Sequence, residues 1–81
     1  MQPADIRAQL TTVFREVFRQ PALEIRDEMT AADVTSWDSL AHLTLIFATE
    51  DRFGVRFSTR EVQGLRSVGD LVLLIDRKTR G

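Results

Sequence analysis

One short stretch of this 81-residue chain gathers residues able to do chemistry: Trp37-Asp38-Ser39-Leu40, with His42 one turn further on. A serine beside an acid and an imidazole first suggests a hydrolytic triad. The spacing argues against it. His42 comes within reach of the Ser39 hydroxyl on a helix, but Asp38 adjoins the serine in sequence, and nothing orients the imidazole from its far side or builds an oxyanion hole and a substrate pocket. His42 reads instead as a surface side chain, placed where it could sit beside a group carried on Ser39. What the stretch does offer is a seat for a phosphate. It lies where a long loop meets a helix, and at a helix N-terminus the free backbone N–H groups and the helix dipole both favour negative charge. A serine or aspartate at such a place is most often only an N-cap worth about 1 kcal/mol, so the stretch alone does not decide.

The elements that must position it follow from periodicity. In the first helix Asp5 is the expected N-cap, Ile6, Leu10, Val13, Phe14, Val17 and Phe18 recur at helical spacing, and Pro21 closes the run. From Arg19 to Asp38 no period holds, and a loop that long in so small a chain is expected to pack over the core or to serve a function. The second helix runs from about Ser39 to Phe53, with Gly54 as its left-handed end. Val55 to Phe57 reads as a short extended piece. Ser58-Thr59-Arg60-Glu61 has the spacing of a capping box and opens a short third helix carrying Val62 and stopped by Gly64. Ser67 and Asp70 repeat that spacing before a last helix that turns Val68, Leu71, Val72, Leu74 and Ile75 inward. The fold class expected is all-α: a small four-helix bundle, three longer helices plus one short third helix, with a long loop between helices 1 and 2, residues 1–81 forming one domain.

At about 100° per residue, the apolar positions of the second helix cover well over half its circumference, more than one core-facing stripe needs. Two readings follow. Either the helix is buried on two sides, or Leu45, Ile46 and Phe53 face the core while Leu40, Leu43 and Phe47 form an exposed edge for a partner. Phe14 and Leu71 join the expected core.

Composition bounds the rest. With no cysteine there is no disulfide, no zinc thiolate and no thiol nucleophile. Hydrophobic content of 43% is that of an ordinary globular chain. No apolar run nears the roughly 20 residues of a membrane span, and no secretory signal opens the chain, so a cytoplasmic protein without membrane insertion is expected. Residues 24–51 hold seven acids against one base, whereas the rest of the chain holds ten bases against five acids. Such asymmetry can steer a charged partner, although solvated loop charges are the plainer reading. The C-terminal Arg77, Lys78 and Arg80 suit a helix end. No basic recognition helix is present, which argues against nucleic acid as a partner.

Asp38-Ser39-Leu40 at the head of the second helix, Phe53-Gly54-Val55 closing it and the capped Ser67-Val68 opening the last together resemble the acyl carrier protein family, from about Ile6 to Ile75. The resemblance implies 4'-phosphopantetheine as cofactor, attached through Ser39, with Asp38 helping to present the serine. It implies a carrier and not an enzyme, holding an acyl or aminoacyl cargo as a thioester. It favours the exposed reading of Leu40, Leu43 and Phe47 as the face shown to partners: a phosphopantetheinyl transferase, a ligase that loads the acyl or aminoacyl group, and a downstream acyltransferase or synthase. The chain is expected to be a monomer and to be free-standing, although an excised module of a synthase would read similarly. Two features depart from the family pattern. Ser36-Trp37 stands where small residues commonly precede the aspartate; Trp37 is a loop anchor or part of the partner surface. The second helix has only two acids, among His42, Thr44, Thr49 and Arg52, where fatty-acid carriers are strongly acidic, which points to a specialised lipid, polysaccharide, polyketide or aminoacyl pathway. The competing reading is an unmodified helical adaptor of the same fold working through Leu40, Leu43 and Phe47.

Overall fold

A computed structural model describes residues 2–34 and 37–80. Its helices are α1 (Pro3–Phe18), α2 (Ser39–Phe53), α3 (Thr59–Gln63) and α4 (Val68–Thr79), with one 3-10 turn at Ala31–Asp33. The bundle is all-α as expected, and α1 packs against both α2 and α4. Val55 to Phe57 has no strand partner among the described residues.

The start of α1 corrects the expected cap. Gln2 is the N-cap and Pro3 follows it, at a position where the missing N–H is no loss and the fixed φ suits the helix. Asp5 therefore sits inside the first turn, its charge facing the positive end of the dipole. From α1 the core takes Ile6, Leu10, Val13, Phe14 and Phe18; from α4 it takes Val68, Leu71, Val72 and Ile75, and from α2 Leu45. Ile46 and Leu74 are buried as well. Thr49, assigned no place in the core from sequence, is fully buried, its hydroxyl donating to the Leu45 carbonyl at 2.7 Å.

Phe53 is a second correction. It packs on the core but is only half-buried, because it occupies the last residue of α2, where the chain turns out through Gly54 (φ 65°). Phe53→Ala should thus cost about 1–2 kcal/mol by thermal melting, below the roughly 3–5 of a fully enclosed phenylalanine.

The long loop lies over the core. It buries Met29 and Val34, and Arg15 donates to the Leu23 carbonyl at 2.7 Å. The α4 N-terminus pins it further: Val68 N–H donates to Met29 O at 2.9 Å and Gly69 N–H to Asp27 O at 2.8 Å. A Cβ on Gly69 would lie 3.0 Å from that same Asp27 oxygen, so glycine permits the close approach. The 3-10 turn is held by a capping box, Thr30 N–H donating to the Asp33 carboxylate and Ala32 N–H to the Thr30 hydroxyl. Its signature, Thr-x-x-Asp, stands in the sequence. Ser58 and Glu61 form the expected reciprocal box at α3. At α4 only half of it forms: Ser67 Oγ accepts from Asp70 N–H, but the Asp70 carboxylate accepts from Arg66 N–H instead.

Two carboxylates, Asp27 and Glu61, tie separate parts together, and a third, Asp76, pairs within the end of α4. Two hydrogen bonds from Arg7 hold Asp27 below its ordinary 3.8. Glu61 is lowered from 4.5 by the Ser58 backbone N–H and then by Lys78 on α4, and Asp76 is lowered by the Arg80 guanidinium. Groups whose folded values are depressed stabilise above their unfolded values and lose that contribution as pH falls through the folded ones. The melting temperature should hold from neutrality to about pH 5 and then decline. Asp27→Asn should lower it at neutral pH and make the acid decline shallower.

Candidate functional site

The head of α2 is built by Asp38. With extended backbone (φ −100°, ψ −171°) it caps the helix, Oδ1 accepting from Ala41 N–H at 2.8 Å while its carbonyl accepts from His42 N–H at 2.9 Å. The remaining first-turn N–H groups, those of Ser39 and Leu40, are the ones a helix start leaves for an outside acceptor. Ser39 is the first helical residue, exposed, and its hydroxyl makes no hydrogen bond to a described residue. It opens on a shallow cleft lined by Ala31, Trp37, Asp38, His42 and Leu43. Ser36 lies outside the described residues.

Trp37 is anchored. Half-buried, it meets Phe14 edge-on at 5.5 Å and Phe18 at 5.7 Å. Its indole N–H donates to His42 Nδ1 at 3.1 Å, with the two rings stacked at 6.1 Å. Because Nδ1 accepts, the neutral imidazole carries its proton on Nε2. Sequence reasoning missed this pair, since nothing local says how a loop residue will meet the first turn of the next helix. The pairing bears on the triad question: an indole, not a carboxylate, occupies the nitrogen from which a base would be oriented. His42 is also half-buried, less exposed than a surface side chain.

Along α2 from Ser39 runs an apolar edge. Leu40 is 73%, Leu43 50% and Phe47 63% exposed, and helical geometry puts the three within an arc of about 60°. Phe47 stands about 12 Å along the axis from Ser39. The structure thus separates the two groups of α2 residues, Leu45 and Ile46 inward, Leu40, Leu43 and Phe47 outward. The acids of residues 24–51 are mostly engaged locally. Asp27 pairs with Arg7 and Glu28 with Arg26, Asp33 and Asp38 are caps, and Glu50 accepts from Phe57 N–H. The plainer reading of that charge, local structure and solvation, accounts for most of it.

Known proteins share this chain's family pattern and its overall fold. A family profile described as "Phosphopantetheine attachment site" matches residues 8–75. An acyl carrier protein of Acidothermus cellulolyticus is 33% identical over 75 residues, covering 93% of this chain and 89% of the relative. A meromycolate extension acyl carrier protein of Mycolicibacterium aurum is 33% identical over 73 residues, 90% of this chain and 75% of the relative. Among solved structures, a holo acyl carrier protein from Geobacter metallireducens superposes with a TM-score of 0.86 at 38% identity, covering 91% of this chain and 85% of that one.

Proposed function

We propose that this chain, which belongs to the acyl carrier protein family, carries an acyl intermediate on a 4'-phosphopantetheine arm attached to Ser39 and presents it to enzymes that dock on α2. Members of the family are carriers and not enzymes. The observation that carries the residue assignment is the head of α2: an exposed, unengaged serine hydroxyl beside helix N–H groups that favour a phosphodiester.

The residues present fit the arm. Ser39 supplies the oxygen to be esterified, with open space on its solvent side. Asp38 caps the turn that bears it, and the half-buried His42 directs its Nε2–H away from Trp37. The arm supplies the thiol that a chain without cysteine lacks, and the cargo is held there as a thioester. Leu40, Leu43 and Phe47 form the docking edge, and Trp37 holds the loop in place at its margin. Partners in this reading are a phosphopantetheinyl transferase, an acyl- or aminoacyl-loading ligase and a downstream acyltransferase or synthase, in the cytoplasm. The sparse acids of α2, with His42, Thr44 and Arg52 among them, support a specialised pathway over general fatty-acid synthesis; one relative named above is a meromycolate extension acyl carrier protein.

Incubation with coenzyme A and a phosphopantetheinyl transferase should raise the intact mass by one arm. Ser39→Ala should show no increase. Failure of the natural protein to gain an arm would favour the unmodified adaptor.

A further inference from the structure

The basic residues outside the acidic stretch are not all engaged as those acids are. On the outer side of α3 and α4 lies an open groove of about 830 Å³ lined by Arg60, Arg66, Arg77, Leu65 and Leu73, among others. Its three acids are already committed: Glu61 to Lys78 and the Ser58 backbone, Asp70 to the Arg66 and α4 caps, Asp76 to Arg80. Arg60, Arg66 and Arg77 are exposed and make no ion pair or side-chain hydrogen bond among the described residues. With them Leu73 stands 63% exposed on α4, while its neighbours Val72 and Leu74 are buried.

Three free guanidinium groups around an exposed leucine are complementary to carboxylates flanking an apolar side chain. We propose that the α3–α4 groove is a second docking site, for an acidic amphipathic segment of a partner protein, with an apolar side chain on Leu73 and carboxylates on Arg60, Arg66 and Arg77. Guanidinium forks match carboxylates in pairs of parallel hydrogen bonds. The groove is concave and holds one exposed leucine, which suits a peptide segment better than a flat lipid surface. It lies on α3 and α4 and does not include Ser39 or the apolar edge of α2, so a partner held here leaves the arm free. The inference goes beyond carriage and stands whether or not Ser39 is modified.

The probe is a fluorescein-labelled synthetic peptide alternating glutamate and leucine, with a lysine-for-glutamate peptide as control. The full chain should bind the acidic peptide with amide shifts confined to residues 60–80, more weakly as salt rises. The triple variant Arg60→Gln, Arg66→Gln, Arg77→Gln should lose about tenfold in affinity, and Leu73→Ser several-fold. Melting temperature and arm addition at Ser39 should be unchanged. Should the triple variant melt early, each single arginine variant should still weaken binding about twofold. Equal binding by the triple variant, or shifts mapping to α2, would overturn the proposal. So would preferential binding to phosphatidylglycerol vesicles, or a concentration-dependent dimer that the arginine variants dissolve.

Discussion

Phe14→Ala should remove a large share of the protein's stability and lower its melting temperature steeply. Phe14 has no exposed surface and lies at the meeting point of three aromatic rings, 5.7 Å from Phe18 and 5.5 Å from Trp37. Removing a ring so enclosed costs about 3–5 kcal/mol, transfer and cavity terms together. A chain of this length has a total stability of about 4–12 kcal/mol. The melting temperature should fall by roughly 15–30 °C, and the Trp37 fluorescence should shift red as the indole loses its wall. Since Trp37 bonds His42 in the first turn of α2, the variant should also take the phosphopantetheine arm more slowly than its residual folded fraction accounts for. A drop of only a few degrees would show that the loop and α1 do not close on Phe14 as described.

Phe47→Ser should do the reverse, sparing the fold and harming transfer. Phe47 is 63% exposed and Leu43 50%, and surface substitutions usually change stability by less than about 0.5 kcal/mol. Apolar anchors at the centre of a small interface often carry about 2 kcal/mol or more, so loading by the partner ligase should fall roughly 30-fold. Leu43→Ser should behave alike. Arg52→Ala should matter less for docking, since its guanidinium reaches Gln9 on α1. Because most acids of residues 24–51 are engaged locally, salt should slow association only modestly. Joint collapse of melting temperature and loading for Phe47→Ser would place Phe47 in the core.

Where a boundary is set by a local signal, the sequence shows it. Asp38 and Gly54 bracket α2 because a cap and a left-handed glycine act on their own helix, and Ser58 and Glu61 do the same for α3. Phe53 shows the limit. A helical wheel gives the direction of a side chain, not how far along the axis the bundle still covers it, and Phe53 stands where cover ends. Asp5 was outranked because Pro3 is as good at a first helical position as inside a loop. The outward face of Leu40, Leu43 and Phe47 was an open choice on periodicity alone, settled only by what α1 and α4 leave uncovered. The Trp37–His42 pair and the α3–α4 groove depend on how separate segments meet, and no spacing encodes that.

The most direct test is to find where the arm resides. Trypsin should release residues 27–52 as one segment, bounded by Arg26 and Arg52 and containing both Ser36 and Ser39. After treatment with coenzyme A and transferase, fragmentation of that segment should place a single phosphopantetheine on Ser39. An arm on Ser36, or an unmodified segment under conditions that convert another carrier fully, would contradict the assignment.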